Sequence, residues 1–144
     1  MNLEKLRPEL RWAIDAAQDK KAQNVSVLDL SQLSAFSQYF VLCSASSTPQ
    51  LEAVSDAIEE RLKQHGVRPA HREGRHGAEW VLLDYGRFVI HIFSERARLY
   101  YDLERLWRAA PRLDIPAPGE DSSGPRSGGS LSSPGGPDSE TAQP

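Results

Sequence analysis

Residues 79–93 read Glu79-Trp80-Val81-Leu82-Leu83-Asp84-Tyr85-Gly86-Arg87-Phe88-Val89-Ile90-His91-Ile92-Phe93, and this stretch decides the architecture. It is two strands around a tight turn. Gly86-Arg87 fits a two-residue hairpin loop with glycine first, which supplies the positive φ that a primed turn requires. Side chains alternate along a strand, and directly opposed residues share a face. One face therefore collects Val81, Leu83, Ile90 and Ile92, with Tyr85 and Phe88 nearest the turn. The other collects Trp80, Leu82, Asp84, Val89, His91 and Phe93. The first set is core. The second mixes aromatic rings with a carboxylate and an imidazole, as a recognition surface does.

Working outward, the hairpin sits in an α/β chain. Leu3, Leu6, Leu10, Ile14 and Ala17 recur at helical spacing, predicting a helix over 3–19 that Pro8 either begins or kinks. Residues 25–30 alternate as a strand. Residues 39–43 form a continuous apolar, β-prone run, expected as a central buried strand. A helix start follows with two overlapping signals: Thr48 as N-cap before Pro49, or Ser47 as N-cap with Gln50 completing a capping box. Leu51, Val54, Ile58 and Leu62 are its apolar stripe, and His65-Gly66 closes it. Residues 68–73 are a candidate third strand. Beyond the hairpin, Leu99, Leu103 and Leu106, flanked by Tyr100 and Trp107, predict a last helix over 95–109. The expected order is α-β-β-α-β-β-β-α, a mixed sheet of about five strands with helices packed on it.

Composition divides the chain. Residues 111–144 hold seven of the ten prolines, six of the ten glycines and no aromatic residue. That segment buries too little apolar area to offset its ordering entropy, so it reads as a disordered tail behind a single domain over 1–110. Its two arginines against five acidic residues account for the net charge of −3, which leaves 1–110 in balance. A balanced body has little long-range attraction for phosphate backbones. Lys20-Lys21, and Arg68, Arg72 and Arg75, read as a solvated rim. Cys43 is the single cysteine, which excludes a disulfide framework and suits a reducing compartment. No secretory signal or membrane-length apolar run is visible, so the expectation is a cytoplasmic protein.

The residues that carry chemistry do not assemble into an enzyme. Residues 44–48 have the outline of a phosphate cradle at a helix start, but the lysine and glycines of such loops are missing, and capping explains them equally well. Asp29 and Asp84 stand alone, where a bound Mg²⁺ needs clustered carboxylates. His65, His71, His76 and His91 match no zinc spacing. Cys43 lies in a core run, too buried for a nucleophile. No cofactor or metal is expected. His91 is expected to hydrogen-bond a neighbour such as Asp84, with direct contact to a partner the alternative. Trp80 fits a core position under a helix and an exposed anchor equally well; only a sheet face left open by the helices allows the second.

Taken in order, 19–22 (Asp-Lys-Lys-Ala), 27–30 (Val-Leu-Asp-Leu), 39–42 (Tyr-Phe-Val-Leu), 46–48 with Gln50, Glu73-Gly74, 79–86, 89–93 and 101–107 (Tyr-Asp-Leu-Glu-Arg-Leu-Trp) resemble the ribosomal silencing factor family, also called Iojap-like. The series W-x-L-x-D-Y-G, H-x-F and Y-D-L-E-x-L-W is its specific part. The resemblance implies a nucleotidyltransferase-like fold without that activity. It also implies a translation repressor that binds the large ribosomal subunit through its protein fourteen and sterically blocks the small subunit when nutrients are short. Assembly of the large subunit is the rival role. Carried over by position, Trp80, Leu82, Asp84 and Tyr85 lie in the motif presented around the partner surface, with His91 and Glu73 beside them. No specific nucleic acid is implied beyond peripheral rRNA contact, and both monomer and homodimer are open for the free protein. The family's usual Thr-Gly before the second helix is Ser44-Ala45 here.

Overall fold

The structure, a computed structural model, describes residues 2–75 and 77–119. Its elements are α1 (Pro8–Asp19), β1 (Gln23–Asp29), β2 (Tyr39–Ala45), α2 (Thr48–Gln64), β3 (His71–Glu73), β4 (Trp80–Asp84), β5 (Phe88–Ser94), α3 (Glu95–Tyr101), α4 (Leu103–Leu106) and β6 (Arg112–Asp114). The strands form one mixed sheet in the order β3-β4-β5-β2-β1-β6. Among the described residues only the β2–β5 pair is parallel. The continuous apolar run predicted as a central strand takes that place.

The hairpin closes as its alternation dictates. Trp80 faces Phe93, Leu82 faces His91 and Asp84 faces Val89 across the ladder. Tyr85 and Phe88 close a two-residue loop through the Tyr85 N–H to the Phe88 carbonyl (2.9 Å), and Gly86 has φ +87°. In this register Val81, Leu83, Phe88, Ile90 and Ile92 join one buried cluster with the apolar faces of α1 and α2. Leu28, Leu42 and Phe93 point the opposite way and form a second, smaller core with Ala97 and Ala110, against which Leu103 and Trp107 pack.

Pro8 is the first residue of α1, preceded by a single 3-10 turn (Leu3–Lys5), so the proline starts the helix rather than kinking it. Ser47 is the N-cap of α2, its Oγ accepting the Gln50 N–H at 3.2 Å. Gln50 Oε1 accepts the Ser46 N–H (2.6 Å) while its Nε2 donates to the carbonyls of Lys20 and Lys21 (3.0 and 2.9 Å), tying the end of α1 to the start of α2.

Two expectations change. The helix predicted over 95–109 is broken at Asp102, which sits in the left-handed region (φ 48°) between α3 and α4. The break turns the apolar stripe: Leu103 packs on the small core, whereas Leu99 (82% exposed) and Leu106 (71% exposed) face outward. The sheet also has a sixth strand, cut from the segment read as tail. β6 pairs antiparallel with β1, and the Ile115 N–H extends the pairing by donating to the Val25 carbonyl (2.8 Å). The folded body therefore passes residue 110. It does so because Leu113 and Ile115 reach the large core and give the segment the apolar contacts its composition seemed to deny. The disorder expected of the tail lies, from residue 120 onward, outside the described residues.

Candidate partner-binding site

The second sheet face is only partly roofed. α3 and α4 cover the apolar side chains of β1, β2 and β5, while β4 and β3 extend beyond them. Trp80, Leu82 and Asp84 therefore remain half-buried in β4, although Val81 and Leu83 on its other face are fully buried. Trp80 lies between the two placements open to it. Its ring packs on Phe93 (centroids 5.1 Å apart) and Tyr101 (4.6 Å), yet it sits at the margin of the roof. A groove of about 460 Å³ opens there between Trp80, Leu82 and Tyr101, with Glu73 and Glu79 among its walls.

Glu73 belongs to this face because it is directly opposite Leu82 in the β3–β4 ladder. Its carboxylate pairs with the His71 ring. Gly74 follows with φ +101°, and a Cβ built on it would lie 2.6 Å from the Trp80 carbonyl oxygen. Only glycine lets the chain pass that close to the site. Glu79 meets Arg96 (2.5 Å to Nη2) and accepts the Ser94 hydroxyl (2.9 Å), and these hydrogen bonds hold its carboxyl below the usual range.

His91 is buried, 3% exposed, and its partner is not the carboxylate expected of it. Trp80 Nε1–H donates to His91 Nδ1 at 3.1 Å. Asp84 instead turns to the loop, its Oδ1 accepting the Gly86 N–H at 2.8 Å. Both Trp80 and Asp84 are diagonal neighbours of His91 across the ladder, so parity alone leaves the choice open. Solvation decides it: Asp84 keeps its charge wet at the turn, while the indole lies over the imidazole. Burial, opposed in part by the charge of Asp84, pulls the His91 pKa down to about 4. The ring is neutral at pH 7. Because Nδ1 accepts from the indole, its proton sits on Nε2, which has no partner among the described residues.

Tyr85 is separated from the other candidates. It stacks on Phe88 (centroids 4.9 Å, planes 13° apart) and packs against the large core, on the face covered by α2. Burial first, and then the negative charge of Glu59, push its phenol upward. The site thus brings together Trp80, Leu82, Asp84, His91 and Glu73, and adds Tyr101, which the continuous-helix reading passed over.

Arg98 also escaped the sequence reading, since an arginine in a predicted surface helix carries no signal of burial. It lies beneath α3 with its guanidinium on Glu104 (Nη2 to Oε2, 2.6 Å), the Ser44 and Ser26 hydroxyls (3.1 and 3.2 Å) and the Asn24 carbonyl (2.5 Å). The clasp spans the break at Asp102 and fixes α3 and α4 on the sheet, and with them Tyr101 beside Trp80.

Comparison with known proteins places this geometry in context. A family described as "Ribosomal silencing factor during starvation" matches residues 3–132. The ribosomal silencing factor of Bacillus subtilis is 36% identical over 106 residues, covering 74% of this chain and 90% of its own. The chloroplastic Iojap protein of Arabidopsis thaliana is 31% identical over 120 residues, 81% of this chain and 49% of its own. A crystal structure of a Chromobacterium violaceum protein superposes with a TM-score of 0.68 at 30% identity, covering 83% of this chain and 98% of that one.

Proposed function

Because the chain belongs to the ribosomal silencing factor family, a family of regulators acting on the ribosome, we propose that it represses translation by occupying a surface of the large ribosomal subunit. It docks in the cytoplasm on large-subunit protein fourteen and sterically excludes the small subunit when nutrients are limiting. The observation that carries this reading is the unroofed edge of the sheet, where Trp80 and Leu82 stay only partly buried beside the exposed Tyr101. Aromatic side chains lining a groove are the kind of anchor that dominates interfaces, each worth roughly 2 kcal/mol or more when desolvated. Exclusion by bulk needs affinity and a docking angle, and no bond-making. Asp84 and Glu73 supply acidic groups at the rim, where charge governs partner choice and encounter rate more than affinity.

The test is co-sedimentation of the full chain with isolated large subunits, followed by addition of small subunits. We expect binding to large subunits alone, loss of joining in proportion to occupancy, and loss of binding by at least about thirtyfold in Trp80→Ala. Binding with joining unaffected would replace repression by a role in large-subunit assembly. A Trp80→Ala protein that stays folded and binds normally would remove this face from the interface.

A further inference from the structure

The buried imidazole under Trp80 is expensive as it stands. A half-paired histidine inside an aromatic cluster leaves one N–H unsatisfied, which costs about 1–3 kcal/mol against an apolar residue of similar shape. The cluster around it is otherwise apolar. Phe40 meets the ring edge-on (centroids 4.5 Å, 65°), Phe93 lies parallel to it (6.0 Å, 10°), and Leu42 and Leu82 flank it on the neighbouring strands. A leucine or phenylalanine would fill such a place without the penalty. What the imidazole adds is a single acceptor, Nδ1, aimed at the indole N–H of a tryptophan that is only partly buried. In other orientations a partly buried indole reaches water, so the bond to His91 adds little net stability. The hydrogen bond instead removes freedom: it selects one orientation of the ring over the sheet edge.

We infer that His91 is a positioning residue, which holds the Trp80 indole in the orientation that docks and does not itself touch the partner. This role rests on the reading of Trp80 as a docking anchor. It separates the residues of the site into two layers. Trp80, Leu82 and Tyr101 meet the partner, and His91 acts only through Trp80. The indole also packs on Phe93 and Tyr101, so it is held by two rings and pinned at its Nε1 edge, and binding then orders little that is not ordered already.

Three variants of the full chain test it: His91→Leu, which keeps the bulk and removes the acceptor; His91→Asn, whose Oδ1 stands near the place of Nδ1; and Trp80→Phe, which keeps a ring and removes the donor. The readouts are the indole ¹H–¹⁵N resonance of Trp80 in the free protein and affinity for isolated large ribosomal subunits, with thermal unfolding confirming each variant is folded. In His91→Leu the Trp80 resonance moves to the position of an unbonded indole and its hydrogen exchanges faster. Affinity falls about tenfold, and His91→Asn restores both in part. Adding His91→Leu to Trp80→Phe weakens binding no further than Trp80→Phe alone, because the bond that His91 makes is already gone. A folded His91→Leu protein with an unmoved indole resonance, or with normal affinity while Trp80→Ala binds poorly, overturns the positioning role alone. Normal affinity in Trp80→Ala overturns the docking surface, and this role with it.

Discussion

His91 carries a second consequence that belongs to the residue alone. Its ring is buried neutral, with a pKa near 4 against 6.5 in an unfolded chain. Between those values the unfolded state binds the proton and the folded state does not, so stability rises with pH across the window. The contribution is complete above pH 6.5 and is lost as pH falls toward 4, on the order of 3 kcal/mol in all. Urea unfolding from pH 7.5 to 4.5 should show this slope in the wild type, and a shallower one in His91→Asn. Identical slopes would mean that the imidazole is already charged in the fold. Cys43 behaves in the opposite sense. Burial pushes its thiol up to about 12 despite the charge of Arg98 nearby, so the native chain should resist alkylation at pH 8 and react only in denaturant. Rapid labelling of the folded protein would contradict its place in the core. How far such residues were legible depends on whether pattern or packing fixes them. Alternation put Trp80, Asp84 and His91 on one face, and Cys43 in a buried run. It did not choose between two diagonal partners for His91, because that choice turns on which group can stay hydrated.

At the scale of elements, the apolar pattern was readable where it was long. The hairpin and α2 repeat their period several times and end on a turn or cap residue, and the central strand shows as a continuous apolar run. β6 is three residues in a proline-rich segment, too short to show any period, and it exists because an unpaired β1 edge lies beside it. The break at Asp102 was hidden for another reason: Leu99, Leu103 and Leu106 satisfy helical spacing, while the face that actually turns inward on α3 carries Ala97 and the polar Arg98. A buried guanidinium with four partners outweighs an apolar stripe. Arg98→Met should accordingly lower stability by roughly 3 kcal/mol, since it leaves Glu104 only its longer contact with Arg112 and removes the partner of the Ser26 and Ser44 hydroxyls. Arg96→Ala, which breaks an exposed pair with Glu79, should leave the urea midpoint in place. Equal midpoints in the two variants would deny the clasp any structural weight. Gly74→Ala belongs to the same scale. Its φ is strained for an L residue and its Cβ collides with the Trp80 carbonyl, so the β3–β4 edge must shift at a cost of about 2 kcal/mol. Amide exchange across residues 80–84 should quicken and large-subunit binding weaken. Unchanged exchange would show that the edge yields without strain.

Over the whole molecule, the sheet is a partition between two unequal cores. The larger is closed by α1 and α2, and the smaller is roofed by two short helices whose outer side chains, Leu99, Tyr100 and Leu106, are apolar and exposed. Such a roof is held less by its own packing than by what fastens it, and the C-terminal segment is one fastener. Arg112 lies 3.6 Å from Glu104 of the clasp, the Pro111 carbonyl accepts the Asp29 N–H (2.9 Å), Pro116 accepts Gln18 Nε2 (2.8 Å), and Ile115 enters the large core. The folded body thus extends at least to Pro116, and the composition of the residues beyond Gly119 predicts that they are dispensable for folding. A chain ending at Gly119 should melt with the full-length protein. One ending at Ala110 loses β6 and the Ile115 contact, and should melt about 5–10 °C lower. It also bares the backbone donors and acceptors of β1, a free edge that invites pairing with a second copy, so its elution volume should become concentration-dependent. If the two truncations melt together and both stay monomeric, the sixth strand is an ornament on a fold that ends at residue 110. If the chain ending at Gly119 is itself destabilised, the final residues hold the body in a way their composition does not disclose.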